Sequence, residues 1–268
     1  MSERLWECQR VRAGPLVKEI RMIRPRMYAG DSAEDRREKE WIKSRCALNR
    51  DATDRLELRL ALFGWCGVHY TLSFDDRFLP PNYAGVQREM ENFFARCWRW
   101  RKKSGKLPSF DYIRCIEGLH GDHRYHVHFV CNGADFSGED IQRLWRRGGV
   151  HSEPVLLEPV QGYRRLARYF RKERNDGITI PLDKNSLTWS ASLAVPEARC
   201  SMVRSGIIRI PADVLCCQKP SGYHSEFGSF NYAKYILPDA SRACARARTI
   251  LERGGYVPTF CKKGDESH

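Results

Sequence analysis

The chain has 268 residues, 42% of them hydrophobic and 11% aromatic, so it is long and apolar enough to bury a full core. Its 46 lysine and arginine residues against 33 acidic ones give a net charge of +13, which favours a polyanionic partner, nucleic acid first and an anionic membrane second. The sequence has no G-x-x-x-x-G-K-[ST] motif, which excludes a P-loop motor, and no C-x-x-C pair, which argues against a zinc ribbon.

The most apolar stretch, roughly residues 60–68, is far too short to span a bilayer. The first residues lack the basic-then-apolar pattern of a signal peptide. We therefore expect a soluble, cytoplasmic protein without a membrane partner. Its scattered cysteines are expected to be free, as in a reducing compartment.

The N-terminal part of the chain is dense in charge. Residues 1–30 are basic and show no regular pattern, which predicts irregular structure. Residues 31–63 predict helix, with Asp31 or Ser32 as a cap and apolar residues at helical spacing. We interpret residues 1–55 as a basic, partly helical extension. Its charged helix is either a solvated face or an arm that lies along DNA.

Three segments in the middle of the chain have the composition of β-strands: residues 67–74, 110–117 and 122–131. A helix with a basic end, residues 84–103, separates the first strand from the second. The polar turn at residues 118–123 joins the last two strands and predicts an antiparallel hairpin.

The third of these strands carries two histidines on one face. Its sequence, D-H-R-Y-H-V-H-F-V-C, alternates strictly, so His126 and His128 lie opposite an apolar stripe. Such a pair is more often structural than metal-binding, because the spacing is a weak signal. Glu117, near the turn end of the neighbouring strand, can approach the imidazoles. The turn offers further candidates: His120, Asp122 and His123.

Residues 161–174 predict a helix with an unusual tyrosine. Its apolar face is formed by Tyr163, Leu166, Ala167 and Phe170. Tyr169 lies off that face, on the side of Arg165 and Lys172. It is either a tyrosine at the edge of the core or a reactive group among cations.

Two histidines, a carboxylate and a tyrosine among cations suit phosphoryl transfer. A divalent cation held by imidazoles and a carboxylate can polarise a phosphodiester. A phenolic oxygen helped towards phenolate can attack the phosphorus and keep the bond energy for later rejoining. A hydrolytic nuclease needs only water and has no use for the tyrosine.

At these residues the sequence resembles the HUH (His–hydrophobe–His) endonucleases. It looks most like the rolling-circle replication initiators of microvirus-type single-stranded-DNA phages and related plasmids. The resemblance covers about residues 56–200. It rests on four segments: T-L-S-F (71–74), E-G-L-H-G-D-H-R-Y-H-V-H-F-V (117–130), L-A-R-Y-F-R-K-E (166–173) and S-L-T-W-S-A-S-L-A-V-P (186–196).

The resemblance implies a role for each candidate residue. Tyr169 would be the nucleophile and Lys172 its charge partner. His126, His128 and Glu117 would bind Mg²⁺ or Mn²⁺. The helix arginines are expected to contact backbone phosphates; they are Arg165, Arg168 and Arg171.

The resemblance also implies an α+β fold, with a central antiparallel sheet of about five strands and packed helices. Residues 56–200 would form this nicking domain. Residues 1–55 would be the N-terminal extension and residues 201–268 a C-terminal extension and tail.

The implied activity is nicking and joining of a single-stranded DNA origin through a 5′-phosphotyrosine, which initiates rolling-circle replication. Host polymerase would extend the free 3′ end, and a host helicase would unwind the duplex. A relaxase or single-tyrosine transposase would share this chemistry, and a non-catalytic nucleic-acid-binding module is the alternative of another class.

Two positions depart from the family pattern. Ala191 replaces a basic residue often found after the serine of the last segment, so a DNA contact is missing there. Arg165 stands four residues before Tyr169, so the two-tyrosine helix of some relatives is absent, and Tyr163 lies on the core face. Termination must then use water, a second subunit or a second round through Tyr169.

Overall fold

The structure is a computed structural model that describes residues 5–46, 48, 51–118, 124–155, 162–171, 187–212, 214 and 216–238. These residues form two antiparallel five-stranded sheets and five α-helices. The helices are α1 (Ala33–Arg45), α2 (Ala52–Ala61), α3 (Tyr83–Lys103), α4 (Gly138–Trp145) and α5 (Arg164–Tyr169). The strands are β1 (Trp6–Ala13), β2 (Leu16–Ile23), β3 (Gly67–Ser73), β4 (Tyr112–Glu117), β5 (His126–Asn132), β6 (Val150–Pro154), β7 (Leu187–Trp189), β8 (Arg199–Val203), β9 (Cys216–His224) and β10 (Ser229–Ile236).

The first sheet, which we call the central sheet, has the strand order β6-β3-β5-β4-β7. It confirms the predicted α+β fold with a five-stranded antiparallel sheet. β4 and β5 pair in the predicted hairpin arrangement. The turn candidates His120, Asp122 and His123 lie outside the described residues.

The back of the central sheet carries one apolar core. Helix α3 begins at the cap Asn82, whose side chain accepts from the Gly85 amide, and buries its apolar stripe against the sheet. Phe93 and Phe129 meet edge to face with ring centroids 5.9 Å apart, and α4 adds the buried Trp145. With its back committed to this core, the sheet presents its other face to α5.

The second sheet, which we call the terminal sheet, joins the two ends of the chain in the order β8-β1-β2-β10-β9. The prediction of irregular structure for residues 1–30 is therefore wrong, because residues 6–23 form a hairpin. At its turn Gly14 has a φ of +53°, and a Cβ there would lie 2.1 Å from the Ala61 carbonyl oxygen. Hydropathy hides β2 because its charged residues Lys18 and Glu19 are buried.

A buried ionic cluster joins the terminal sheet to the helices. Lys18 Nζ lies 2.7 Å from Glu57 Oε2 and 3.2 Å from Asp54 Oδ1, and Lys234 Nζ lies 2.9 Å from Glu57 Oε1. Arg164, the first residue of α5, pairs with Asp54. Strands β2 and β10 and helices α2 and α5 thus meet at one set of charges.

Cysteine chemistry follows the expectation only in part. The free thiols are Cys8, Cys46, Cys97, Cys115, Cys131 and Cys200. Cys66 is disulfide-bonded, so the expectation of free cysteines is wrong at that position. Within the part of the chain that the structure describes, no helix is both long and apolar enough to cross a membrane.

The ionic cluster gives a stability prediction. Glu57→Gln keeps the volume but leaves Lys18 and Lys234 buried without their shared carboxylate, so we expect a loss of about 3–5 kcal/mol in unfolding free energy. Urea denaturation followed by circular dichroism measures it. The exposed Glu197→Gln is the matched control, and a Glu57→Gln loss as small as that of the control would contradict the role of the cluster.

Candidate metal and tyrosine site

The pairing of β4 with β5 brings the two histidines and the carboxylate to one face. Glu117 lies opposite His126, and Cys115 lies opposite His128. Val127, between the histidines, is fully buried on the back of the sheet. The alternation predicted from the sequence is therefore present, and both imidazoles lie on the front.

The three side chains form a compact cluster. His126 Nε2 lies 2.9 Å from Glu117 Oε2, and His128 Nε2 lies 3.3 Å from Glu117 Oε1. One ligand atom from each residue lies within 4.8 Å of the others. Glu117 and His128 are buried, whereas His126 is partly exposed, so the cluster opens to solvent on one side.

The hydrogen bonding of His126 indicates what the cluster can hold. Its Nδ1 lies 3.0 Å from the Arg124 carbonyl oxygen, which only accepts, so Nδ1 carries the proton. In a neutral ring the Nε2 lone pair then faces the Glu117 carboxylate, which is also an acceptor. A second proton on the ring or a cation between the two atoms resolves this conflict. Two imidazoles and a carboxylate accept several divalent metals, so these residues fit such an ion.

Helix α5 places Tyr169 directly over the cluster. The tyrosine hydroxyl lies 3.0 Å from His128 Nε2, and the two ring centroids are 5.0 Å apart in an edge-on arrangement. The structure therefore brings together four of the residues singled out from the sequence: Glu117, His126, His128 and Tyr169.

Residues 68–174 match the model of a family of replication-associated proteins, the ORF2 family. The matched segment contains the metal cluster and Tyr169, and it confirms the resemblance to replication initiators. No significant match was found among curated proteins or among solved structures.

The surroundings of Tyr169 favour its protonated form. Burial raises the pKa of the phenol, and the negative charge of Glu117 and a hydrogen bond to that carboxylate raise it further. A cation bound between Glu117 and the histidines would act in the opposite direction, because it offsets the carboxylate charge and favours phenolate. The reactivity of the tyrosine is thus linked to occupancy of the cluster.

Helix α5 is shorter than the predicted helix over residues 161–174. It begins at Arg164 and ends at Tyr169. Gly162 has a φ of +60°, which stops the helix from starting earlier, and Phe170 and Arg171 continue as a turn. The predicted apolar face is present: its buried members are Tyr163, Ala167 and Phe170.

The basic residues around Tyr169 differ in their surroundings. Arg165 and Arg168 are exposed, as phosphate contacts require. Arg171 donates to the Thr53 hydroxyl at 2.6 Å, which ties it to α2. Lys172 lies outside the described residues. Contact of these side chains with DNA stays a prediction.

Sequence reasoning missed two residues of the site. His69 Nε2 lies 2.9 Å from His128 Nδ1, and His69 Nδ1 lies 2.9 Å from Glu153 Oε1. A signal existed, because His69 alternates with Thr71 and so shares a face with it. That this face is the one bearing His128 depends on the pairing of β3 with β5, in which Thr71 lies opposite His128.

The cluster gives a metal-binding prediction. His126→Ala and Glu117→Ala each remove a proposed ligand, so we expect Mn²⁺ affinity to fall by more than about 100-fold, beyond the usual effect of losing a residue behind a ligand. Isothermal titration calorimetry measures the affinity. His224→Ala, an exposed histidine on the terminal sheet, is the control. Wild-type affinity in His126→Ala would rule out this site.

Proposed function

We propose that this protein is a site-specific single-strand DNA nickase and strand transferase that initiates rolling-circle replication. One observation carries the proposal: the Tyr169 hydroxyl lies 3.0 Å from His128, within a His–His–Glu cluster that can hold a divalent cation. The family match supports a role in replication initiation.

In the proposed reaction the tyrosine hydroxyl loses its proton, and its oxygen bonds to the phosphorus of one phosphodiester. The bond from phosphorus to the 3′ oxygen breaks, and that oxygen takes up a proton to become a free 3′-hydroxyl. The 5′ end stays on Tyr169 as a phosphotyrosine. His126, His128 and Glu117 would hold Mg²⁺ or Mn²⁺, which supplies polarisation of the phosphoryl oxygen.

The reverse reaction rejoins a strand, since attack of a 3′-hydroxyl on the phosphotyrosine restores the phosphodiester and frees the phenol. The covalent link therefore conserves the bond energy that hydrolysis would lose. Host polymerase would extend the 3′ end in the meantime. Host helicase would open the duplex, because the sequence carries no P-loop motif.

Recognition of the strand is proposed to rely on charge around Tyr169. The net charge of +13 draws the protein to DNA, and Arg165 and Arg168 are exposed on the tyrosine helix. Lys172 would add a further positive charge close to the phenol. Arg171, which donates to Thr53, would contribute less to phosphate binding.

Termination would proceed with one tyrosine. Tyr163 is fully buried, and its hydroxyl donates to the Gly64 carbonyl oxygen at 2.9 Å, which argues against a second nucleophile on this helix. Water, a second subunit or a second round through Tyr169 would then release the product.

The nucleophile gives the first prediction from this proposal. A labelled origin oligonucleotide with Mn²⁺ should yield a covalent protein–DNA adduct on a denaturing gel. Tyr169→Phe should abolish the adduct, because it removes the attacking oxygen, and EDTA should suppress it. Tyr125→Phe, which packs with the back core, should retain it. Cleavage that persists in Tyr169→Phe would overturn the assignment.

The gel also separates the alternatives. A non-catalytic binding module would retain the oligonucleotide without cleaving it. Cleavage that leaves a free 5′-phosphate, with no adduct at any time, would indicate water as the nucleophile.

The arginines give the second prediction. If Arg168 contacts a phosphate, Arg168→Ala should reduce the slope of log affinity against log salt by about 0.7 on single-stranded DNA. Fluorescence anisotropy over a salt series measures the slope. Arg199→Ala, an exposed arginine on β8, is the control, and equal slopes for both variants and the wild type would contradict the contact.

A further inference from the structure

A histidine and a glutamate lie behind the proposed ligand His128. The pairing of β3 with β6 places His69 opposite Glu153, and the pairing of β3 with β5 places Thr71 opposite His128. His69 thereby bridges the two, with its Nε2 2.9 Å from His128 Nδ1 and its Nδ1 2.9 Å from Glu153 Oε1. The side chain of His69 is 7% exposed and that of Glu153 is 48% exposed.

The glutamate fixes the direction of this hydrogen-bonded chain. A carboxylate only accepts, so His69 Nδ1 carries the proton and donates to Glu153. In the neutral imidazole, His69 Nε2 is then an acceptor. His128 Nδ1 must therefore donate to it, which leaves His128 Nε2 with its lone pair directed at Tyr169 and Glu117.

His126 reaches the same state by a different route. Its Nδ1 donates to the Arg124 carbonyl oxygen, 3.0 Å away, so its Nε2 also faces the cluster as a lone pair. Both histidines of the pair thus present Nε2 to the same point. Metal-binding histidines are generally oriented by a hydrogen bond from the other ring nitrogen.

We propose that His69 and Glu153 are positioning residues that hold His128 in the tautomer and orientation needed for a divalent cation. This inference rests on the proposed function, because it assumes that the cluster of Glu117, His126 and His128 is the cation site. Neither residue touches the reacting atoms; Glu153 orients His69, and His69 orients His128.

The packing around the pair supports a fixed geometry. The Phe170 ring lies 5.5 Å from the His69 ring and 6.1 Å from the His128 ring, centroid to centroid, so α5 covers both imidazoles. The Thr71 hydroxyl lies 3.3 Å from His128 Nδ1, farther than His69 Nε2. His69 is therefore the principal acceptor for the proton on His128 Nδ1.

The test measures Mn²⁺ affinity by electron paramagnetic resonance and the tautomer of His128 by ¹⁵N NMR of the metal-free protein. His69→Phe keeps a buried ring but removes both nitrogens, so we expect affinity to fall by about 10- to 100-fold and the Nδ1–H form of His128 to lose its dominance. His69→Gln offers a carboxamide oxygen as acceptor and should restore most of the affinity.

Variants of Glu153 probe the outer end of the chain. Glu153→Ala should cost about 10-fold or less, because the side chain is half exposed and water can accept in its place. Glu153→Gln, which still accepts from His69, should stay near the wild-type affinity. His151→Ala removes an exposed histidine on the same strand and should change nothing.

The two readouts keep this inference separate from the proposed function. If wild-type protein binds Mn²⁺ and His69→Phe binds it equally well with an unchanged His128 tautomer, the positioning role is overturned. If wild-type protein binds no Mn²⁺, the cation site itself fails, and the tautomer shift in metal-free His69→Phe and His69→Gln still decides whether His69 orients His128.

Discussion

The register between β4 and β5 is the constraint on which the site depends. It sets Glu117 opposite His126 and leaves His128 one step further along the same face. A slip of one residue would turn both imidazoles into the apolar core beneath the sheet. The bulky residues on the back, Phe129 among them, make that slip costly because they would have to face α5 and solvent instead. Core packing on one face thereby fixes the chemistry on the other.

Tyr169 owes its position to contacts outside its own helix. Helix α5 has 6 residues, too few to be stable in isolation. It is anchored to its surroundings by Arg164 with Asp54, by Arg171 with Thr53 and by the buried Tyr163. Asp54 is also bound by Lys18 of the terminal sheet. The tyrosine is therefore held by a network that includes the far side of the molecule.

Local patterns predicted the site better than they predicted the fold around it. The alternation at His126 and His128, and the position of Tyr169 off its apolar face, depend on neighbours within a few residues, so the sequence displays them directly. The terminal sheet pairs residues 16–23 with residues 229–236, and no local pattern carries that information. Its buried charged residues also imitate a solvated strand. His69 was missed for a related reason, since its role depends on which strands lie beside β3.

The pairing of β2 with β10 has a consequence for how the protein is made. Leu16 lies opposite Ile236, so the sheet closes over more than two hundred residues of intervening chain. Such non-local pairing slows folding, because loop closure precedes the contacts that reward it. Lys234 reaches the ionic cluster only with β10, and α5 shares that cluster through Arg164. During synthesis, full anchorage of the tyrosine helix must therefore await residues near 236, which delays a competent site until the ribosome has almost finished the chain.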